Sequence, residues 1–272
     1  MRLHRICTVS FSPTGNTEKV VRTLGEALAA ALSLPLNAIP FTKLSERGEI
    51  HSFDAGTLLI AGTPTYAGRM PNKIAPDFAA RLRGNGAAGV AVVTFGNRSY
   101  DNALAEFCAL LTKNGFHVAA AGAFVGRHAF TDALAEGRPN GEDLEEVRAF
   151  ALGIAEKLQG AEEWPPIAVP GLPDGPYYVP KGKDGQDAKF LKAKPQTDLS
   201  QCSGCGACAR WCPMGAIDKE NPASVPGTCI KCHACVRRCT RRAKFFDDPA
   251  FLSHVAMLEK NFKTPQENET FL

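Results

Sequence analysis

The first 160 residues alternate between short apolar runs and longer amphipathic stretches, which is the pattern of an α/β protein. The apolar runs are rich in small and β-branched residues and are bounded by Gly or Pro, as expected of buried parallel strands. We predict strands at Arg5–Phe11, Thr57–Gly62, Gly89–Phe95 and Val118–Val125, with a weaker candidate at Leu36–Pro40. Helical patterns alternate with them at Thr17–Leu32, Asn72–Arg83, Asp101–Lys113 and Glu142–Leu158. Residues 1–160 are therefore predicted to form a doubly wound α/β domain with a five-stranded parallel sheet.

Beyond residue 160 the periodic pattern ends, and composition divides the rest of the chain into three segments. Residues 161–196 hold seven prolines and four glycines and form a connector, either a strap fixed on one domain or a loose linker. Residues 197–248 contain eight of the ten cysteines, which indicates a separate small domain. A helical pattern at Pro249–Phe262 and a polar tail make up residues 249–272.

Bulk composition is that of an ordinary globular protein. The chain has 272 residues, 44% hydrophobic and 22% charged, and its formal net charge of +3 is too small to predict nucleic-acid binding. No stretch approaches the roughly 18 uninterrupted apolar residues of a membrane span. The N-terminal MRLHRICTVSF is too short and polar for a signal peptide. We therefore expect a protein of the reducing cytoplasm, with no membrane span and no nucleic-acid partner.

The cysteines of residues 197–248 carry the strongest chemical signal in the chain. They form two copies of the spacing C-x2-C-x2-C-x3-C, with Pro213 directly after the first copy. Three thiolates on a tight loop, with a fourth arriving from elsewhere, match the corners of a cubane iron–sulfur cluster. Structural zinc usually takes cysteine pairs separated by a long gap, and disulfides suit small secreted chains, so both alternatives fit less well. The eight positions are Cys202, Cys205, Cys208, Cys212, Cys229, Cys232, Cys235 and Cys239.

A second signal lies where the first predicted strand meets the first predicted helix. Residues 12–17 read Ser-Pro-Thr-Gly-Asn-Thr and supply hydroxyl and backbone N–H donors at a helix N-terminus, an arrangement that binds anions. The segment has no lysine, so it is not a nucleotide-triphosphate loop. A hydroxyl-rich loop without a fixed cation suits a terminal phosphomonoester, and an ordinary Ser/Thr helix cap is the alternative.

This segment resembles the phosphate loop of the flavodoxin family, [Ser/Thr]-x-Thr-Gly-x-Thr, at every fixed position. The resemblance implies a flavodoxin-like fold over residues 1–160, with FMN bound beyond the carboxyl ends of the strands. Two further loops, residues 63–69 and 95–101, follow predicted strands and look like the loops that flank the flavin ring. The implied cofactor-binding residues are Ser12, Thr14, Gly15, Asn16 and Thr17 in the phosphate loop, and Thr63, Pro64, Thr65, Tyr66, Ala67, Gly68, Phe95, Gly96, Asn97, Tyr100 and Asp101 in the two flanking loops.

Each of the two flanking loops contains one tyrosine. Tyr66 and Tyr100 are candidates to stack on the isoalloxazine ring, and a rim or packing role is the alternative for either. The loop after the fifth predicted strand adds His128, for which an approach to the flavin and a surface position both stay open.

The cysteine-rich segment resembles bacterial two-cluster ferredoxins, in which the fourth cysteine of each run binds the other cluster. The resemblance implies a small α+β domain with two [4Fe–4S] clusters. Thr240 stands where the family has a second proline, a departure that removes no ligand. Carried over by position, one cluster takes Cys202, Cys205, Cys208 and Cys239, and the other takes Cys229, Cys232, Cys235 and Cys212.

The second cysteine run lies in a basic segment. Residues 231–244 contain no acidic residue and form either a solvated face or a docking patch for an acidic redox partner, such as a ferredoxin-like carrier. The basic positions are Lys231, His233, Arg237, Arg238, Arg241, Arg242 and Lys244.

Taken together, the two resemblances are those of the flavodoxin–ferredoxin fusion proteins of anaerobes. They imply an electron-transfer iron–sulfur flavoprotein that relays single electrons between two [4Fe–4S] clusters and an FMN, linking a low-potential carrier to an acceptor. The alternative is an FMN-dependent reductase of a small molecule that is fed by its clusters. No Ser/His/Asp or paired-carboxylate constellation predicts hydrolysis, and no catalytic residue is predicted.

Overall fold

A computed structural model describes residues 3–160 and 165–272, so residues 161–164 of the predicted connector lie outside the described residues. In chain order the strands are β1 (Arg5–Ser10), β2 (Leu36–Pro40), β3 (His51–Ser52), β4 (Thr57–Pro64), β5 (Leu82–Arg83), β6 (Ala88–Phe95), β7 (His117–Val125), β8 (Gln196–Thr197), β9 (Lys244–Phe245) and β10 (Glu269–Phe271). The helices are α1 (Asn16–Leu32), α2 (Ala75–Arg81), α3 (Ala103–Lys113), α4 (Gly141–Gly160), α5 (Ala207–Arg210), α6 (Ala234–Arg237) and α7 (Pro249–Asn261), with a 3-10 turn at Leu44–Glu46.

The main sheet has six strands in the order β10-β7-β6-β4-β1-β2. Five of them, β2, β1, β4, β6 and β7, run parallel, which confirms the predicted doubly wound, flavodoxin-like arrangement. The strand order reverses at β1, which lies between β2 and β4, so the loops that leave β1 and β4 diverge there. A crevice at such a switch point is where doubly wound sheets bind ligands.

Helices cover both faces of this sheet and create two apolar cores. One face packs against α2 and α3, where Phe78 and Phe107 are fully buried. The other face packs against α1 and α4 through Leu24 and Ile154. Because both faces are covered, β6 is buried along its whole length.

The C-terminal segment contains a strand that the sequence pattern did not predict. Residues 269–271 form β10, which pairs antiparallel with residues 121–123 of β7 and adds a sixth strand to the sheet. The side chain of Asn268 begins this pairing by accepting a hydrogen bond from the N–H of Val125 at 2.8 Å. A strand of three residues is too short to show a period, so the segment was predicted to be only a polar tail.

Most predicted boundaries differ from the observed ones by one or two residues, and the largest difference is at the start of α2. The N–H groups of Ile74 and Ala75 both donate to the carbonyl of Pro71, which makes a separate turn before the helix. The helix then begins at Ala75 with Pro76 in its first turn. A proline in the first turn costs no helical hydrogen bond, because the first N–H groups of a helix have no acceptor within the helix.

The cysteine-rich domain is small and internally repeated. Each cysteine run contains one short helix, α5 in the first run and α6 in the second, and β8 pairs antiparallel with β9. The following helix α7 packs on this domain through Phe251, which contacts Phe246 and Phe190. Within the described ranges, no helix is both long and apolar enough to cross a bilayer.

Residues 167–178 of the connector lie along the α/β domain, whereas Phe190, near its other end, packs against the cysteine-rich domain. The guanidinium of Arg69 donates to the carbonyl of Gly175. The side chain of Asn102 accepts from the N–H of Leu172 at 2.9 Å. These bonds attach the connector to the loops that follow β4 and β6.

Candidate functional site

The loop between β1 and α1 has the geometry of an anion site. Gly15 caps α1 in the left-handed region at φ 96°, and no atom lies within 4 Å of the place where its Cβ would stand. The hydroxyl oxygen of Ser12 accepts from the N–H of Glu18 at 2.9 Å, which leaves the hydroxyl proton free to donate. Thr14 is half-buried at the tip of the loop. The loop therefore presents open space, free donors and the positive end of the helix dipole to an anion.

The last two residues of the phosphate loop also hold neighbouring strand ends in place. The amide of Asn16 donates to the carbonyl of Arg127, after β7, at 2.9 Å. The hydroxyls of Thr17 and Thr94, the latter on β6, are hydrogen-bonded at 2.7 Å. The anion site is thus fixed against the carboxyl ends of two other strands.

The loop after β4 forms a tight turn. The backbones of Tyr66 and Arg69 pair at 2.8 and 3.1 Å across Ala67 and Gly68, which both have positive φ, at 48° and 75°. The buried hydroxyl of Thr65 has no hydrogen-bond partner among the described residues. Since an unpaired buried hydroxyl is costly, this atom is a candidate to bond a polar edge of a ligand.

Tyr66 lies between this turn and the second cysteine run. Burial raises the pKa of its hydroxyl well above the usual value, and the nearby thiols of Cys232 and Cys229 add to that rise. Thr63 and Pro64 form the end of β4 directly before this loop. The turn therefore brings a predicted flavin loop next to predicted cluster ligands.

Tyr100, in the loop after β6, is used for packing. Its ring is buried against Phe95, with the ring centroids 5.4 Å apart. Its hydroxyl donates to the carboxylate of Glu269 on β10 at 2.8 Å. Of the two candidate stacking tyrosines, Tyr100 packs in the core and bonds β10, and Tyr66 lies near the second cysteine run.

Two other predicted residues of that loop also have protein partners. Asn97 has a φ of 65° and donates its side-chain amide to the carbonyl of Phe262 at 2.6 Å. Asp101 forms an ion pair with Arg98. The bond of Asn97 joins the loop to the C-terminal segment, and the ion pair lies within the loop itself.

His128 packs against the loop after β6. Its ring lies directly against Gly96, where a Cβ would overlap it, and 5.1 Å from the ring of Phe130 between centroids. Burial lowers the pKa of His128 to about 4. The ring is therefore neutral near pH 7, and it is a half-buried packing residue and not a freely exposed loop histidine.

The eight cysteines of the two runs line two cavities. One cavity is lined by Cys202, Cys205, Cys208 and Cys239, which we call the outer set. The other is lined by Cys212, Cys229, Cys232 and Cys235, which we call the inner set. This is the same crossed grouping that the ferredoxin resemblance implies. In residues 3–160 and 165–272, no three His, Cys, Asp or Glu side chains converge on one ion position.

Backbone donors surround these thiols. The N–H of Ala216 donates to the sulfur of Cys212 at 3.2 Å, and the N–H of Ala243 donates to the sulfur of Cys239 at 3.3 Å. Hydrogen bonds to ligand sulfurs tune the potential of iron–sulfur clusters. Four thiols around a cavity, with amide donors to the sulfurs, fit a [4Fe–4S] cluster in each set.

Sharp turns let each run bring three thiols together. In the first run the turns use Gly204 and Gly206, both at φ 67°. At the equivalent positions of the second run, Lys231 and His233 adopt φ 56° and 60°, although this region favours glycine. The ring of His233 stacks on Phe246 with 4.6 Å between centroids, and this contact offsets part of the strain.

The two cysteine sets differ in their environment. Cys205 of the outer set is exposed, and a hydrogen bond from the N–H of Ala207 lowers the pKa of its thiol. Cys235 of the inner set is buried, and desolvation raises the pKa of its thiol to about 12. The outer set therefore lies at the surface, and the inner set lies inside the protein.

Arg47 ties the inner set to the α/β domain. Its side chain is 2% exposed and makes three hydrogen bonds of 2.6 Å, to the carboxylate of Asp77 and to the carbonyls of Thr42 and Pro213. Pro213 directly follows Cys212. No sequence signal marks Arg47, because its partners come from three separate parts of the chain.

Part of the basic segment 231–244 turns inward. Arg237 donates to the carbonyls of residues 128 and 129, and Arg238 donates to the carbonyl of Pro13. His233 and Lys244 are buried, whereas Arg241 and Arg242 are exposed. The segment is therefore a domain contact at one end and a solvated basic surface at the other.

Residues 194–240 match the family model of the 4Fe-4S dicluster domain. Together with the strand order of the sheet, this match decides the architecture. The chain is a flavodoxin-like domain fused to a ferredoxin-type dicluster domain. A comparison with curated proteins finds no match. The α/β domain is hereafter the flavodoxin-like domain, and the cysteine-rich domain is the dicluster domain.

Solved structures similar to the flavodoxin-like domain include flavodoxins and larger proteins. A flavodoxin from the domain Archaea is 18% identical, with a TM-score of 0.37 over 57% of this chain and 99% of that one. A two-electron reduced flavodoxin from Megasphaera elsdenii is 16% identical, with a TM-score of 0.38 over 56% of this chain and 98% of that one. Rubredoxin oxygen:oxidoreductase from Desulfovibrio gigas is 17% identical, with a TM-score of 0.39 over 59% of this chain and 37% of that one. The fold assignment rests on the strand order and not on these scores.

Proposed function

We propose that the chain is an electron-transfer iron–sulfur flavoprotein that relays single electrons between two [4Fe–4S] clusters and one FMN. The outer and inner cysteine sets hold one cluster each, and FMN is held by residues 12–17 and by the loops after β4 and β6. When bound, the clusters supply one-electron exchange and the flavin supplies exchange of one or two electrons. The chain then joins a low-potential electron carrier to an acceptor.

The observation that carries this proposal is the contact between the inner set and the loop after β4. Tyr66 of this loop lies near the thiols of Cys229 and Cys232. Met214 and Ile230 line the inner cavity and also pack against the core of the flavodoxin-like domain. This apolar contact keeps water out of the boundary and holds the inner set beside the flavin site.

The outer set is the natural entry point for a redox partner. Cys205 is exposed, Arg241 lines the outer cavity, and Arg242 is exposed beside it. A positive surface at this position attracts an acidic carrier protein and speeds its encounter. We place this docking surface at Arg241 and Arg242 and not over the whole basic segment, since Arg237 and Arg238 bind the flavodoxin-like domain. A cytoplasmic location suits such a partner and keeps the thiols reduced.

The alternative, an FMN-dependent reductase of a small molecule, needs an open face above the flavin. The connector covers the loop after β4, because the N–H of Tyr178 donates to the carbonyl of Ala67 at 2.8 Å. The guanidinium of Arg98 lies 4.0 Å from the ring centre of the same tyrosine. Coverage by the connector on one side and by the dicluster domain on the other favours the carrier over the reductase.

Anaerobic purification and cofactor analysis test this function. We expect about eight irons and one FMN per chain, with flavin and cluster absorbance that respond to a reduced ferredoxin. Bound zinc without visible absorbance would contradict the proposal. Rapid direct reduction by NADH or NADPH would favour the reductase.

A further inference from the structure

The phosphate loop lacks a cation of its own. Residues 12–17 include no Lys or Arg, and the first turn of α1 carries the acidic Glu18. The nearest lysine in sequence, Lys19, donates its ammonium to the carbonyl of Pro139 at 2.7 Å and is thereby held at another loop. A phosphate bound here gains the helix dipole and hydroxyl donors, but its two negative charges lack a counterion from this segment.

The dicluster domain places a guanidinium on this loop. Nε of Arg238 donates to the carbonyl of Pro13, the second residue of the loop, at 3.1 Å. The guanidinium also stacks on the indole of Trp211, 3.6 Å from the ring centre, which fixes its plane. Arg238 directly follows α6, so its position depends on the docking of the dicluster domain.

We propose that Arg238 binds the phosphate of FMN, so that the two domains complete one phosphate site. This inference deepens the proposed function and rests on it. One Nε–H already holds the side chain on the loop, and the planar guanidinium has four further N–H donors, a geometry that suits phosphate oxygens. Occupancy of the flavin site is then coupled to domain docking, because only the docked arrangement supplies the cation.

If Arg238 had a purely structural role, its loss would have a different effect on flavin binding. If the residue only ties the domains together, its loss changes the whole crevice and weakens every flavin equally. If it binds phosphate, its loss weakens FMN and leaves riboflavin, the same flavin without phosphate, unaffected. Comparison of the two flavins therefore separates the two roles.

The experiment uses the full chain with its clusters loaded and its flavin removed. FMN and riboflavin are titrated by fluorescence quenching into wild type, Arg238→Gln, Arg238→Lys and the matched control Arg242→Gln. Loss of a charge-assisted hydrogen bond should weaken FMN binding by about 10- to 100-fold in Arg238→Gln. Riboflavin binding should stay unchanged, Arg238→Lys should fall between wild type and Arg238→Gln, and Arg242→Gln should behave as wild type.

Equal weakening of FMN and riboflavin in Arg238→Gln would overturn the phosphate role, and so would unchanged FMN affinity. An equal loss of FMN affinity in Arg242→Gln would also overturn it, since general charge would then explain the effect. Failure of the wild-type chain to bind either flavin would instead refute the proposed function together with this inference.

Discussion

Replacement of Arg47 by methionine removes a charged link between the two domains while keeping most of the side-chain volume. The residue is 2% exposed, so no water takes its place. Its three acceptors are Asp77, Thr42 and Pro213, and only Pro213 belongs to the dicluster domain. The substitution therefore weakens the docking of the loop that carries Cys212.

The magnitude follows from the three acceptors of Arg47. Asp77 is 32% exposed, so water replaces its lost hydrogen bond and its loss costs little. A buried carbonyl left without its donor costs about 1–3 kcal/mol. Only the bond to Pro213 crosses the domain boundary, so its loss weakens the docking of the two domains by about 1–3 kcal/mol. This free energy raises the undocked population by about 5- to 150-fold.

Iron release to a chelator, followed anaerobically, measures this population. When redocking is fast, loss through a transiently open state follows the equilibrium population of that state. In Arg47→Met, the iron of the inner set, about half of the total, should therefore be released about 5- to 150-fold faster than in wild type. The release rate of Arg47→Lys should lie between those of Arg47→Met and wild type. Arg83→Met is the matched control, because the side chain of Arg83 bonds only the nearby carbonyls of Ala79 and Leu82 among the described residues.

Two outcomes would contradict this role of Arg47. Equal release rates in Arg47→Met and wild type would show that the bond to Pro213 does not hold the inner set. Uniform acceleration of all the iron would show that the variant destabilises the whole chain and not the domain contact.

Three further predictions concern single residues of the two sites. Cys212→Ala should destroy the cluster of the inner set and spare the outer one, as counted by iron content and electron paramagnetic resonance, and the reverse pattern would disprove the crossed grouping. Tyr66→Leu should change the flavin absorbance and fluorescence. Tyr100→Phe should leave both unchanged and lower the melting temperature, because it loses the hydrogen bond to Glu269. A flavin change in Tyr100→Phe alone would reverse the roles of the two tyrosines. Burial holds the pKa of His128 at about 4, below its usual 6.5, so the unfolded chain binds the extra proton between these values. The neutral ring therefore contributes stability above about pH 6.5, and this contribution is lost as the pH falls towards 4. The wild-type melting temperature should fall between pH 7.5 and pH 5, and it should fall less in His128→Phe, which has no titrating ring.

The sequence predicts those parts of the molecule whose chemistry is local. Residues 12–17 read as an anion site because the strand, the turn and the helix N-terminus adjoin one another in the chain. The cysteine runs are equally readable, since each places three thiols within seven residues. The strands of the parallel sheet are also predictable, because long buried runs leave a clear apolar pattern.

Contacts across the domain boundary could not be predicted, because they join residues far apart in the chain. Arg47 and Pro213 are separated by 166 positions. The basic residues of the second cysteine run have the composition of a solvated surface, yet Arg238 reaches the phosphate loop 225 positions earlier. Their roles depend on how the dicluster domain docks, which no local pattern records.

Tyr66 and Tyr100 show a similar limit within the flavodoxin-like domain. Both follow buried strands and both suit a flavin loop, so the sequence cannot separate them. Tyr100 is assigned to packing through its ring contact with Phe95 and through Glu269, which lies on a strand too short to predict. Tyr66 lies near the inner set, which belongs to the other domain.

In the proposed relay, electrons pass between the inner set and the flavin within one chain. A laser pulse can inject one electron into the anaerobic holoprotein, and the cluster and flavin bands are then followed over a range of protein concentrations. We expect the two bands to equilibrate at one rate that does not depend on protein concentration. A rate that rises in proportion to protein concentration would show transfer between separate molecules and would refute the relay.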